Sequence, residues 1–273
     1  MKDQVGIPYH AGVWGLARTA RVEYEGAEIG CVDVAAKGDS PAEQLKRAAT
    51  KCGQPAFEAE IVLRGSEQFV SRLGEAEVPE ASDLKFRAKA TYIISGGVGA
   101  LGLLAAQWIV DGGAKNIVLL SRSGVPPEDS RAALERLQAT AGVTVTSMKC
   151  DVADAASVKA MFAEVKKTLP AVKGIFHAAG FLQDQMLKDM TREGLEPVLK
   201  PKIDGTLNLH NFCQDKLDHF VLYSSASSML GNVGQANYSA ANAFMDALAG
   251  YRRAQGLAGT SIQWGPWGEV NLF

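Results

Sequence analysis

The stretch that decides the fold is Tyr92-Ile93-Ile94-Ser95-Gly96-Gly97-Val98-Gly99-Ala100-Leu101-Gly102. Its opening residues are apolar and β-prone without alternation, as in a strand covered on both faces. The glycines then punctuate a tight turn. Leu101-Gly102-Leu103-Leu104-Ala105-Ala106-Gln107-Trp108-Ile109-Val110 continues as an apolar helix, stopped by Gly112 and Gly113. Residues 90–110 carry no charge, which is long enough to suggest a membrane span. The glycines at 96, 97, 99 and 102 and the β-rich start argue instead for strand, turn and helix.

Downstream, the same alternation repeats. Apolar runs at 116–121 (NIVLLS), 143–150 (VTVTSMKC), 174–180 (GIFHAAG), 219–225 (HFVLYSS) and 260–267 (TSIQWGPW) read as further strands. Helical stretches separate several of them, one around 129–140 and another after Asp151 or Asp154. Strands that are apolar throughout and joined by helices predict a doubly wound, Rossmann-like parallel sheet. Residues 1–85 differ. GVWGLARTARVEYEG reads as a helix, IGCVDV (29–34) as a short strand and PAEQLKRAA as a second helix. EAEIVLRG (58–65) and EQFVSRL (67–73) read as a hairpin around Gly65 and Ser66. No glycine-rich phosphate turn follows IGCVDV. The charged segment 75–90 reads as the connection, so the predicted division is 1–85 and 86–273.

Composition narrows the function classes. The 273 residues are 47% apolar and 21% charged, enough to bury a full core. A net charge of −2 gives no reason to expect nucleic acid or an anionic membrane. The four cysteines lie far apart with no Cys-x-x-Cys and no Cys/His cluster. That argues against a metal site and suits a reducing, cytoplasmic setting. Met1 leads into a polar stretch with no secretory signal pattern.

The glycine turn fits a dinucleotide site in two registers. Gly97-Val98-Gly99-Ala100-Leu101-Gly102 matches G-x-G-x-x-G, and Gly96, Gly99 and Gly102 also fall three apart. One glycine permits the turn, one lets the backbone approach a pyrophosphate, and one lets helix and strand pack closely. Ordinary turns and methyltransferases share the motif, so its place between strand and helix matters. At the end of the second strand, an NAD site would carry an acid for the ribose hydroxyl. This chain has Ser121-Arg122-Ser123. A guanidinium there can pair with a 2′-phosphate, and the two hydroxyls can donate to it, so the expected cofactor is NADPH. Asp151 can accept from an adenine amino group, or equally cap a helix.

Ser225 closes the fifth strand of this series, and Tyr238 stands thirteen residues later in YSAAN (238–242). Reduction of a ketone needs a donor for the developing alkoxide as hydride arrives. A tyrosine serves if a nearby cation lowers its pKa, and a serine hydroxyl can hold the carbonyl oxygen beside it. Asn242 falls one helical turn after Tyr238. These residues point to a carbonyl reductase.

The combination resembles the short-chain dehydrogenase/reductase superfamily, and within it the ketoreductase domains of polyketide synthases and animal-type fatty acid synthases. The free-standing members read Y-x-x-x-K, whereas here Asn242 follows Tyr238. The megasynthase domains place their lysine upstream, and Lys202 in KPKIDGTLNLH matches it, with Lys200 the alternative. HAAG (177–180), SRSG, CDV (150–152) and WGPW (264–267) fit the same pattern. The resemblance covers residues 90–273. It implies a catalytic set of Lys202, Ser225, Tyr238 and Asn242. It also implies cofactor contacts from Gly96, Gly97, Val98, Gly99, Leu101, Gly102, Ser121, Arg122, Ser123, Asp151, Val152, Ala178, Ala179 and Gly180.

By the same resemblance, residues 1–85 are part of a truncated Rossmann-like structural subdomain without a cofactor, and the chain is a piece of a larger polypeptide. The implied substrate is a β-ketoacyl chain on the phosphopantetheine arm of an acyl carrier protein, with other megasynthase domains as partners. Asp184 matches the second aspartate of a Leu-Asp-Asp fingerprint for D (3R) alcohols, although Gln183 replaces the first. The opposite class carries tryptophan where Leu230 stands. Two other readings remain open: a silent cofactor-binding domain, and a free-standing sugar dehydrogenase or epimerase.

Overall fold

The computed structural model describes residues 7–34, 40–52, 58–64, 67–77 and 84–268. Helix α1 (Ala11–Glu23) is followed by β1 (Cys31–Val34), α2 (Pro41–Cys52), β2 (Glu60–Arg64) and β3 (Glu67–Val70). β1 and β2 pair in parallel, and β2 and β3 form the expected antiparallel hairpin, with Arg64 opposite Glu67. The hairpin's turn, Gly65–Ser66, lies outside the described residues, as does the middle of the predicted connection (78–83). This small sheet is thinly covered. β2 buries only Ile61 and Leu63, and all four residues of β3 are exposed.

The main sheet comprises β4 (Thr91–Ser95), β5 (Asn116–Ser121), β6 (Thr144–Lys149), β7 (Val172–His177), β8 (His219–Ser225) and β9 (Thr260–Trp264). All neighbours are parallel, in the order β6-β5-β4-β7-β8-β9. Helices α3 (Ala100–Asp111), α4 (Glu128–Gln138), α5 (Ala155–Thr168), α6 (Arg192–Phe212), α7 (Ser227–Leu230) and α8 (Ala236–Ala254) complete the chain, with a 3₁₀ turn at Leu187–Asp189.

Strand side chains alternate between faces, and both faces are filled. Tyr92, Ile94, Ile117, Leu119 and Phe176 pack on Leu103, Ile109, Leu134 and Leu137 of α3 and α4. Ile93, Val118, Leu120, Ile175 and Phe220 pack on Val158, Met161, Leu209 and Met245 of α5, α6 and α8. The uninterrupted apolar runs therefore follow from having helices on both sides. The uncharged run at 90–110 is β4, the turn and most of the twelve-residue α3. Among the described residues, no helix is long and apolar enough to cross a membrane.

The strand order reverses between β4 and β7, because the chain leaves β4 towards β5 and β6 and returns on the other side. Such a switch opens a crevice at the carboxyl ends of the strands. The glycine turn after β4, Ala178–Gly180 after β7 and Ser225 at the end of β8 all open into it.

Candidate active site

A cavity of about 1190 Å³ lies along that edge. Gly96, Val98, Gly99, Leu101, Gly102, Ser121, Arg122, Asp151, Val152, Ala178, Ala179, Gly180, Lys202, Ser225 and Tyr238 line it. Gly97, Ser123, Asp184 and Asn242 do not, although each was expected at the site.

The turn assigns the glycine roles. Gly96 has φ +69°, and a Cβ there would sit 2.9 Å from Ala179 N. A Cβ on Gly102 would lie 2.3 Å from Gly96 O, so this glycine lets α3 close on the turn. Gly97 instead backs onto Leu119 and donates to Leu120 O at 3.0 Å. The register is therefore Gly96, Gly99 and Gly102. A Cβ on Gly99 would meet only Gly96 O, at 3.4 Å, so the neighbouring protein atoms do not account for a glycine there. It stands at the start of α3 facing the cavity, where added bulk would fill the space a pyrophosphate takes over a helix N-terminus. The residues present thus fit a dinucleotide.

Arg122 is exposed on the cavity rim and has no protein partner among the described residues. The flanking serines differ: Ser123 spends its O–H on the turn, whereas Ser121 only accepts there and lines the cavity. Ser121 Oγ accepts from Gly124 N at 2.9 Å, and Ser123 Oγ donates to Val125 O at 2.9 Å. Asp151 accepts from Ala153 N and lines the cavity. The cap of α5 is Asp154, which accepts from Ala156 N and Ser157 N.

Helix α6 brings Lys202 into the centre, only 3% exposed, where its Nζ donates to Tyr223 O at 3.0 Å. The same Nζ lies 5.0 Å from the Tyr238 ring centroid. A Cβ on Gly180 would come within 3.1 Å of the Lys202 Cε, so this glycine makes room for the lysine stem. Lys200 also reaches the cavity wall, but its Nζ pairs with Glu196 at 2.7 Å on the exposed side. Burial lowers the Lys202 pKa to about 7, and the Asp246 carboxylate opposes that shift.

Helix α8 starts just before Tyr238. Asn242, one turn on, donates from Nδ2 to Tyr238 O at 2.9 Å, while its buried Oδ1 has no partner. Ser225 Oγ accepts from Ser227 N at 3.2 Å. Burial raises the Tyr238 pKa, and hydrogen bonds from Asn242 and Ser225 pull against it. A lowered phenol pKa was the expectation. It is not met: burial of the phenol, helped by the Asp184 charge, outweighs those two hydrogen bonds.

Several contributors escaped the sequence reading. His177, 1% exposed, bridges the two halves of the site. Its Nδ1 accepts from Ser95 Oγ at 2.5 Å, and its Nε2 donates to Pro201 O, beside Lys202, at 3.0 Å. Burial and the Lys202 charge push its pKa down to about 3, which keeps the ring neutral. Asn237, fully buried, donates to Gln183 O and Gly194 O, each at 2.9 Å. Asp246 accepts from Ser228, Ser261 and Gln263. His177 stood inside the HAAG match, and Asn237 adjoined the tyrosine. Asp246 sits eight residues beyond Tyr238, on the same helical face, and that spacing was its only signal.

A doubly wound sheet with a glycine-lined cavity, a buried lysine and a serine–tyrosine pair defines a nucleotide-dependent reductase architecture. Comparison with known proteins makes this specific. The KR domain family model matches residues 90–269. The polyketide synthase GfsB of Streptomyces halstedii is 38% identical over 98% of this chain. The solved PlmKR1 ketoreductase, from the first module of phoslactomycin biosynthesis in Streptomyces sp. HK803, superposes with TM-score 0.87 at 34% identity. That match covers 96% of this chain and 60% of PlmKR1. A ketoreductase domain from the bacillaene assembly line gives TM-score 0.80 at 32% identity, covering 96% of this chain and 64% of that one. The chain belongs to the KR domain family, the ketoreductase domains of polyketide synthases. It spans only 5–15% of the length of the curated relatives it matches.

Proposed function

We propose that this domain reduces a β-ketoacyl thioester, carried on an acyl carrier protein of a polyketide synthase, to the β-hydroxyacyl thioester with NADPH. The observation that carries the reading is Lys202, Ser225 and Tyr238 lining one cavity with a dinucleotide-type glycine turn. NADPH, when bound, supplies the hydride. Gly96, Gly99 and Gly102 shape its phosphate cradle, and Arg122, without a protein partner among the described residues, pairs with a 2′-phosphate. Ser225 donates to the ketone oxygen and holds it beside Tyr238. The Tyr238 phenol gives its proton as negative charge grows on that oxygen. Lys202 stabilises the resulting phenolate, and the orphaned Asn242 Oδ1 is available to a water that returns the proton. Residues 1–85 serve as a structural subdomain without a cofactor of their own.

The relatives being polyketide synthases favours a polyketide over a fatty acid parent. The intact lysine, serine, tyrosine and asparagine weigh against a silent domain. Asp184 beside the mouth, and Leu230 in place of tryptophan, support a D (3R) product. The test is NADPH oxidation with a β-ketoacyl N-acetylcysteamine thioester, followed by chiral chromatography. Turnover to a mainly 3R alcohol, with none on sugar nucleotides, is expected. No turnover would overturn the function, and a mainly 3S product would overturn the stereochemical assignment.

A further inference from the structure

The amino-terminal part of the molecule reaches the edge of the candidate site at defined atoms. Helix α1 lies against α8, the helix that carries Tyr238. A Cβ on Gly15 would sit 2.2 Å from Ser239 O, and one on Gly12 would sit 3.1 Å from Ala240 O. Thr19, fully buried one turn further along, donates to Ser239 Oγ at 3.0 Å and accepts from Asn232 N at 3.3 Å. Gly12, Gly15, Thr19 and Glu23 follow the three- and four-residue spacing of one helix face. That face ends on a carboxylate.

Glu23 is partly buried, and its two oxygens are divided between two loops. Oε1 accepts from Gly234 N at 2.8 Å, and Oε2 accepts from Leu187 N at 2.6 Å. Gly234 lies four residues before Tyr238, and Leu187 three residues after Asp184. The same two loops are stitched together once more, nearer the cavity. Gln185 N donates to Gly234 O at 2.7 Å, and Gln235 Nε2 donates to both Asp184 oxygens at 3.2 and 3.1 Å. The contacts nearer the mouth are therefore one backbone–backbone bond and one neutral amide on an exposed carboxylate. The contact behind them is a carboxylate fixed on a helix, accepting two backbone N–H groups in a charge-assisted geometry.

We propose that Glu23 is a positioning residue, a clamp that sets the spacing between the Asp184 loop and the loop leading into Tyr238 and so biases which ketone face is presented for reduction. The inference rests on the ketoreductase reading above for its consequence, but not for the clamp. A carboxylate is suited to the task because it is acceptor-only at both oxygens. An amide keeps one acceptor and turns a donor towards the second N–H, so Glu23→Gln breaks half of the clamp. Glu23→Ala breaks all of it. Substrate binding is affected first, since the two loops flank the mouth rather than the proton donor.

Two readouts on the intact domain test this. The first is amide hydrogen exchange, which needs no catalysis. Leu187 and Gly234 should exchange roughly tenfold faster in Glu23→Ala, and by an intermediate factor in Glu23→Gln, while the β4 amides stay protected. The second is reduction of a β-ketoacyl N-acetylcysteamine thioester. The ratio of major to minor hydroxy epimer should fall about tenfold in Glu23→Ala, with KM rising more than kcat falls, the NADPH Kd unchanged and Glu23→Gln in between. Unchanged exchange at both amides would overturn the clamp. Faster exchange with the epimer ratio and KM both as in the original protein would overturn its role in substrate presentation. A protein that exchanges as expected yet reduces no ketone would retain the clamp and sink the functional reading instead.

Discussion

The two sheets of this chain are held by opposite means. Every residue of β4 is buried, and the strands around it are sandwiched between helices. In the small sheet, β3 is exposed along its whole length, and β2 is tied down by charge. Glu60 there pairs with Arg18 at 2.6 Å and Arg21 at 3.0 Å. Burial pushes its carboxyl pKa up, but the two guanidiniums outweigh that and hold it below the usual range. Arg18 also donates to Ser228 O at 2.6 Å, and so carries the small sheet's ion-pair network onto α7, three residues beyond Ser225. The large sheet provides rigidity from its own core. The small one acts through a single helix that reaches the edge of the site.

The sharpest way to break this contrast is to truncate one aromatic in each sheet. Phe220 is 1% exposed, with the Arg252 guanidinium 3.8 Å from its ring centroid. Phe220→Ala should cost about 3–5 kcal/mol of stability. Phe69 on β3 is 50% exposed, and Phe69→Ala should cost less than about 1 kcal/mol. Urea unfolding followed by tryptophan fluorescence measures both. Comparable losses would mean that the small sheet has a core of its own.

A smaller effect is expected at the rim of the large sheet. Arg122→Ala should lower the NADPH-to-NADH ratio of kcat/KM by on the order of 10²-fold, since charge-assisted bonds to the 2′-phosphate are lost. An unchanged ratio would leave Arg122 as a solvated loop residue.

The smallest effect concerns charge inside the site. Lys202 has a pKa of about 7, against 10.5 for an ordinary lysine. Between those values the folded protein binds fewer protons than the unfolded chain, so its stability rises with pH across that window. On the proposed mechanism activity runs the other way, because the lysine would have to be charged to steady a phenolate. The rate should therefore fall as pH rises through about 7. Asp246 opposes the burial penalty on Lys202, so Asp246→Asn should move this basic limb to lower pH, by roughly half a unit to one unit. A pH profile of kcat measures it, and a limb that stays put or moves up would remove Asp246 as the counter-charge.

Much of this was legible because the large sheet is covered on both sides. Continuous apolar runs mark such strands directly, and all six lie within a few residues of their predicted bounds. Helix α6 was harder, since Pro197 and Pro201 interrupt its pattern. Its twenty-one residues are held by packing of Val198 and Leu209 rather than by propensity. Resemblance favours Lys202, with Lys200 the alternative. That Lys202 is the buried one of the pair needed tertiary structure, because two lysines two residues apart differ only in which face is covered. Ser121, Arg122 and Ser123 illustrate the limit of spacing arguments. The segment falls at the end of β5 as expected, but spacing does not tell the two serines apart. Ser123 Oγ both donates to and accepts from Val125, whereas Ser121 Oγ only accepts from Gly124 N and keeps its own O–H beside the cavity. The raised pKa of Tyr238 was illegible for a similar reason: desolvation depends on what surrounds the phenol, and residue order does not encode it.

The central claim is that Tyr238 is the proton donor in a nicotinamide-dependent ketone reduction. The most direct measurement is single-turnover reduction of a β-ketoacyl N-acetylcysteamine thioester by the domain and by Tyr238→Phe, with NADPH affinity measured in parallel. Removing the hydroxyl alone should slow the chemical step by roughly 10²-fold or more while leaving NADPH binding intact. A Tyr238→Phe protein that keeps most of its rate would make Tyr238 a packing residue and contradict the mechanism.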